Sequence, residues 1–156
     1  MNAMLKASDF GHLAPLLFMV VWSAIVLLAS AIGGGKGTDS GRSRLGLLTV
    51  FGLILAAAVT FSSWASHPKA VTDIFGGMMV VDRFALFLDL VFILAGLLTA
   101  LLADSYLEEH GVADGDFFAM LLLAISGMMM MVHAGDFVMV VIGLETMSLA
   151  VYALVA

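Results

Sequence analysis

A carboxylate in the last apolar segment of this chain has the position that proton transfer inside a membrane requires. Glu145 lies nine residues after Asp136, which is about 13 Å along a helix axis and near the middle of a hydrocarbon core ~30 Å thick. Inserting an acid at that depth costs about 2.5–3.5 kcal/mol, so it either stays protonated or acquires a cationic or hydrogen-bonding partner. A carboxyl group whose charge depends on a movable partner is suited to a proton relay.

The residues predicted to share a helical face with Glu145 allow two interpretations. Ser148 and Tyr152 follow it at i+3 and i+7, so a hydroxyl and a phenol lie on its stripe. These groups could support proton transfer, or they could satisfy a buried Glu145 that only fixes helix packing. No lysine or arginine occurs within the apolar segments, so the sequence contains no intramembrane cation to pair with Glu145.

Two other acids have local explanations. Asp136 follows Gly135 and precedes an apolar run, which is the pattern of a helix N-cap. Asp89 lies five or six residues inside its segment, about 8 Å from the interface, where it could reach water or cap a neighbouring helix. Neither acid is assigned a part in the mechanism.

Histidine and cysteine usage argues against redox cofactors in this chain. Haem b in a helical bundle needs two histidines on facing helices at matched depth. His67 and His110 fall between apolar segments, and His12 and His133 fall at the outer ends of theirs, which disfavours haem. The chain has no cysteine, so disulfides, cysteine-ligated iron–sulfur clusters and thiolate zinc sites are excluded within it.

The composition predicts a protein that lies in a lipid bilayer. Hydrophobic residues make up 63% of the 156 residues and charged residues 12%, whereas soluble domains are roughly 45–50% apolar. The formal net charge of −6 argues against binding to nucleic acid or to anionic headgroups.

Five apolar segments are long enough to cross a membrane, which takes ~20 residues in a helix. They are approximately 13–32, 45–64, 84–103, 117–133 and 137–156. The sequence therefore predicts an all-α polytopic membrane bundle of five transmembrane helices in a single domain.

The short loops predict the orientation of the bundle, because cytoplasmic loops carry an excess of lysine and arginine. The first loop carries Lys36, Arg42 and Arg44, which favours an outside N-terminus. Two further basic residues in the second loop make the margin small. The third loop, 104–116, contains five acids and no lysine or arginine, and we expect it to form a solvated, negatively charged turn.

The sequence from Asp116 to the end carries a recognisable series of motifs. It closes with Gly-x-Glu-x-x-Ser-Leu-x-x-Tyr, in which the acid is Glu145. Three shorter motifs precede it, an aromatic pair, a Gly-Met-Met turn and a polar hairpin, at 117–118, 127–129 and 134–136. These motifs, with "VVDRFALF" and "ADSYLEEHG" upstream, resemble subunit N of bacterial respiratory complex I, an antiporter-like relative of mitochondrial ND2. The resemblance is specific over about 78–156 and weak over 1–70.

The resemblance implies a role for Glu145. In that family the glutamate of the fifth helix is a proton-pathway residue paired with a lysine on the seventh helix, so Glu145 is expected to take that role. The resemblance carries this role to Glu145 alone, and Ser148 and Tyr152 are expected to support it because they share its helical face. The family fold has about fourteen helices, and its later lysines have no counterpart here. We therefore expect the chain to be the N-terminal part of a longer subunit and not to pump protons alone.

The resemblance also implies partners and a location. Other membrane subunits of complex I would surround the chain in a bacterial inner membrane, with a periplasmic N-terminus. NADH, FMN, iron–sulfur clusters and quinone would bind to partner subunits, because this chain carries no redox centre. Alternatives are a subunit of a cation/proton antiporter or membrane-bound hydrogenase, and a non-catalytic membrane scaffold.

Overall fold

Five helices and one short hairpin make up the described part of the chain. The computed structural model describes residues 11, 13–32, 39–66, 72–110 and 114–155, with backbone only for 39–44, 72, 104–110 and 114–115. The helices are α1 (Ala14–Ile32), α2 (Asp39–Ser66), α3 (Arg83–His110), α4 (Asp114–Val132) and α5 (Phe137–Val155), and the strands are β1 (Thr72–Ile74) and β2 (Met79–Val81). The predicted all-α class is confirmed.

Four of the helices are long and apolar enough to cross a membrane, judged by length and composition. The candidate spans are 14–32, 45–66, 83–103 and 137–155. The apolar part of α4, Asp116–Val132, is shorter. Large apolar side chains cover the outer surfaces of the four longer helices, a surface that is stable in lipid and unstable in water.

The connecting segments are more helical than the sequence predicted. Helix α2 already begins at Asp39, and α3 continues through its polar residues to His110. The prediction of a turn over 104–116 is therefore wrong for 104–110 and for 114–116, which are helical. Leucine and glutamate are good helix formers, so the helix does not stop where the apolar window ends.

Helix α4 is the central element of the bundle, because it packs against each of the other four helices. Of the α4 side chains that the structure describes, only Asp116 is exposed. Phe118, Leu122, Ile125 and Met129 are at most 1% exposed. Since α4 is surrounded by protein on several sides, its shorter apolar length is compatible with a position inside the bundle.

Helices α4 and α5 approach each other at two glycines. A Cβ atom at Gly127 would lie 2.6 Å from the backbone nitrogen of Met147 and 2.8 Å from the carbonyl oxygen of Gly143. A Cβ atom at Gly143 would lie 2.9 Å from the carbonyl oxygen of Gly127. Small residues at such contacts let membrane helices pack backbone to backbone, and this contact fixes which face of α5 points inward.

The hairpin between α2 and α3 was not predicted from the sequence. Strands β1 and β2 pair antiparallel, and Gly76 and Gly77 adopt positive φ angles in the turn between them, which glycine adopts without steric cost. The amide of Val80 donates to the carbonyl of His133, and the amide of Gly135 donates to the carbonyl of Met78, both at 2.8 Å. The hairpin therefore covers the end of the bundle where α4 ends and α5 begins.

Candidate proton-transfer sites

Glu145 points away from the bundle. It lies eight residues after the start of α5, about 12 Å along a helix that is itself ~28 Å long. Its side chain is exposed, whereas Gly143, two residues earlier, is buried against α4. Two residues correspond to about 200° of rotation around an α-helix, so the packing of Gly143 against α4 directs Glu145 to the opposite side.

The outward face of α5 is otherwise apolar. Tyr152 is 70% exposed and Leu149 63% exposed, while Ser148 is half-buried. Only 11% of the α5 span is buried, compared with 28–33% of the other three spans. Within the described part of the chain, the Glu145 carboxylate makes no hydrogen bond or ion pair, so the cationic partner expected from the sequence is not among the described residues.

Asp136 has the predicted capping role. The backbone amide of Met139 donates a hydrogen bond of 2.9 Å to Asp136 Oδ1, which satisfies one of the free amides of the first turn of α5. Asp82 caps α3 in the same way, since the amide of Ala85 donates to its Oδ1 at 2.6 Å. Both helices that begin beside the hairpin are therefore capped by the aspartate that precedes them.

A second acid in the spans, Asp89, forms a buried pair with His133. Asp89 Oδ2 lies 2.8 Å from His133 Nε2, and the two side chains are 0% and 2% exposed. The prediction that Asp89 reaches water or caps a helix is therefore wrong. The contact joins α3 to the junction between α4 and α5, over a separation of 44 residues.

The hairpin determines the tautomer of His133. Its Nδ1 atom lies 3.1 Å from the backbone carbonyl oxygen of Val80. A carbonyl oxygen only accepts hydrogen bonds, so Nδ1 carries a hydrogen and donates it. His133 Nε2, on the other side of the ring, then either donates a second hydrogen to Asp89 or accepts the hydrogen of a protonated Asp89.

The surroundings of His133 raise its pKa above the ordinary value of 6.5. Burial acts in the opposite direction and is the largest single influence, because it disfavours the charged imidazolium. The hydrogen bond and the negative charge of Asp89 together outweigh it, with smaller contributions from the Val80 carbonyl and the charge of Asp82. His133 therefore binds its proton more tightly than a histidine in water.

Sequence reasoning missed this pair for a geometric reason. Asp89 is six residues after the start of α3, and His133 is the first residue after α4. Each is unremarkable alone, and only the antiparallel packing of α3 and α4 brings the two ends together. The available signal was that Asp89 lies near the start of the third predicted span and His133 at the end of the fourth, which are on the same side of the membrane when successive spans alternate in direction.

The described residues show no alternative site for a metal. They contain no group of three or more histidine, aspartate or glutamate side chains that could hold an ion. His12, the other histidine considered for haem, lies outside the described residues. A groove between α1 and α4 is lined mainly by apolar side chains such as Leu27 and Leu123, so it offers little polar chemistry.

These features define a multi-pass helical membrane protein with two carboxylates inside its spans. No family model matches the chain. NADH-quinone oxidoreductase subunit N of Chloroflexus aggregans is 33% identical over 147 residues, which are 94% of this chain and 28% of that protein. Subunit N 2 of Rhizobium meliloti is 37% identical over 136 residues, covering 87% and 27%. Subunit N of Acidithiobacillus ferrooxidans is 35% identical over 142 residues, covering 91% and 28%.

The chain is thus homologous, over nearly its whole length, to the N-terminal part of NADH-quinone oxidoreductase subunit N. It spans somewhat more than a quarter of the length of these relatives. The resemblance seen in the C-terminal half of the sequence is confirmed, and the similarity extends into the N-terminal half as well.

Proposed function

We propose that this chain is the N-terminal part of the membrane subunit N of a proton-translocating NADH:quinone oxidoreductase, and that Glu145 belongs to its proton pathway. The observation that carries the proposal is the placement of Glu145. A carboxylate sits at mid-span on the exposed face of the least covered helix, and the described residues give it no partner. The names of the relatives favour this function over an antiporter, a hydrogenase subunit or a scaffold.

The exposed face of α5 would receive a further helix that carries a cation. A lysine that approaches Glu145 stabilises the carboxylate, and Glu145 then gives up its proton. When the lysine moves away, the isolated carboxylate in an apolar environment takes a proton back. Tyr152 and Ser148, at i+7 and i+3, would offer hydroxyl groups beside the carboxyl group along the same helix.

The proposed surroundings follow from the same assignment. Other membrane subunits of the complex would be the partners, and NADH, FMN, the iron–sulfur clusters and the quinone would bind to other subunits. The location would be the bacterial inner membrane. Helix α1 begins at the end of the bundle that the hairpin covers, so a periplasmic N-terminus would place the hairpin on the periplasmic side.

The test is the Glu145→Gln substitution in the full-length subunit within its complex. Glutamine keeps the size of the side chain and removes the acid. Proton translocation per electron should fall in membrane vesicles, while the amount of assembled complex and the rate of NADH oxidation with an uncoupler stay close to wild type.

A matched control is Leu149→Gln, which places the same amide on an exposed position of the same helix. If E145Q and L149Q lower translocation equally, the effect comes from packing of α5. If E145Q translocates protons as well as wild type does, Glu145 is not part of the pathway.

A further inference from the structure

The Asp89–His133 pair has no part in the function proposed above, although its geometry is that of a proton-holding site. Both side chains are buried at the end of the bundle under the hairpin, and their atoms Oδ2 and Nε2 lie 2.8 Å apart. Acids and histidines are rarely placed inside a membrane protein without a role, because each costs free energy to bury.

The hydrogen-bond pattern fixes how many protons the pair holds. His133 Nδ1 must carry a hydrogen, since it faces the carbonyl oxygen of Val80. One more proton then lies between Nε2 and Asp89, on either atom, and the pair is neutral overall in both cases. Without that proton, the lone pair of Nε2 would face a negatively charged carboxylate at hydrogen-bond distance, which is repulsive.

The other carboxylate oxygen of Asp89, Oδ1, indicates that the pair can exchange its proton. Asp89 Oδ1 is fully buried and has no hydrogen-bond partner among the described residues. A buried carboxylate is usually held charged by two or more donors. Asp89 has one, so its charged form depends on the proton of His133 and can be neutralised by a proton that reaches either oxygen.

The charges around the pair come from several elements. Asp89 faces His133 from α3, and Asp82, just before α3, acts on it through its charge. The hairpin contributes the carbonyl dipole of Val80. Asp136 begins α5 nearby and uses its Oδ1 to cap the amide of Met139. The groups that act on His133 are therefore acidic or dipolar acceptors, which favours a bound proton.

We propose that Asp89 and His133 form a second protonatable site of this chain, which takes up and releases one proton at the hairpin end of the bundle. The site lies at that end of the bundle, because His133 directly follows α4 and the hairpin covers the junction between α4 and α5. An incoming proton binds to the carboxylate of Asp89 while Nε2 keeps its own, so that the pair becomes positively charged. When another positive charge approaches, one of these two protons leaves and the pair returns to its neutral form. The role in translocation rests on the proposed function of the subunit.

The substitution Asp89→Asn distinguishes a proton-exchanging site from a hydrogen bond that only stabilises the packing of the helices. An asparagine amide can donate to His133 Nε2 while Nδ1 still donates to Val80, so both hydrogen bonds persist and the acid is lost. If the pair only stabilises packing, proton translocation should be unaffected by this change. If the pair exchanges protons, translocation should fall.

The experiment compares proton translocation per electron, as a function of the pH on each side, in membrane vesicles containing the complete enzyme. D89N should assemble normally and should translocate at most roughly half as many protons per electron as wild type. It should also lose part of the wild-type pH dependence. Asp73→Asn, the same change on the exposed side chain of β1, is the matched control and should behave as wild type. Normal assembly of D89N with unchanged translocation and an unchanged pH profile would overturn the proposal.

Two further measurements keep the outcome decisive. If D89N fails to assemble, nitrogen-15 NMR of histidine-labelled wild-type enzyme replaces it. Nδ1 of His133 should then stay protonated while the signal of Nε2 changes with pH, and a Nε2 signal that does not change with pH overturns the proposal. E145Q in the same assay distinguishes the two hypotheses. If translocation falls in E145Q but not in D89N, the proposed function is supported and the role of the Asp89–His133 pair is refuted. If translocation is unchanged in both variants, the proposed function is refuted.

Discussion

Asp89 and Glu145 are two carboxylates inside the spans of one chain, and they differ in both burial and hydrogen bonding. Asp89 is 0% exposed and bonded to His133, a partner from the same chain. Glu145 is exposed at mid-span, with no partner among the described residues. The first acid is therefore satisfied by the local fold, whereas the second requires something that packs against the outer face of α5.

The helices that carry the two acids explain the difference. Asp89 faces inward because α3 packs against α4, the central helix, and its position along α3 matches the end of α4. Glu145 faces outward because Gly143 occupies the contact with α4 on the other side of the same helix. Whether a carboxylate in this bundle has a partner within the chain thus depends on which face of its helix packs against α4.

The largest expected effect comes from breaking the inner pair. His133→Leu fills a similar volume but leaves the Asp89 carboxyl buried with no partner from the chain. Removing one partner of a buried pair costs about 3–5 kcal/mol. The amount of folded, membrane-inserted full-length protein should fall strongly.

The double variant Asp89→Leu with His133→Leu is the control for that loss. With both polar groups replaced by apolar ones, much of the stability should return, because buried pairs can often be exchanged for apolar side chains at little cost. The assay is the yield of protease-resistant protein in membranes. A double variant as unstable as H133L would show that the site needs polar groups for another reason.

A second, smaller effect is the dependence of stability on pH. The pKa of His133 in the folded protein is raised above its ordinary value of 6.5. Its stabilising contribution is therefore fully present below about pH 6.5 and is lost as the pH rises through the raised pKa. In thermal unfolding of the detergent-solubilised full-length protein, the midpoint temperature should decrease as the pH is raised above about 6.5.

The D89N variant should reverse the sign of this dependence. Without the Asp89 charge, burial is the dominant influence and lowers the pKa of His133. The variant should then lose stability as the pH falls instead of as it rises. Identical pH profiles for wild type and D89N would contradict the coupling between the two residues.

The sequence predicted the elements better than their contacts. Long apolar windows identify helices because each backbone polar group must be satisfied within the segment in a bilayer. The same uniform apolarity hides which face is inward, since lipid and protein core both favour apolar residues. The spacing of Gly143 and Glu145 was in the sequence, and it is consistent with the outward direction once the α4–α5 contact is known.

The hairpin and the inner pair could not be predicted in this way. Strands β1 and β2 have three residues each, too few to show a periodicity. Their backbone hydrogen bonds reach the α4–α5 junction, more than fifty residues away in the case of Val80 and His133. The Asp89–His133 contact depends on the same long-range packing, so only the assembled bundle reveals it.

The smallest expected effect concerns the outer face and tests whether its polar groups matter for function without mattering for the fold. Tyr152 is 70% exposed, so Tyr152→Phe should change the free energy of unfolding by less than about 0.5 kcal/mol. Proton translocation should fall, but by less than in E145Q, because the phenol supports the carboxylate and does not replace it. The measurement pairs translocation in vesicles with thermal unfolding of the same preparation. A clear loss of stability in Y152F would mean that the outer face is also part of the packed structure, and the contrast between the two acids would then be weaker than their exposure suggests.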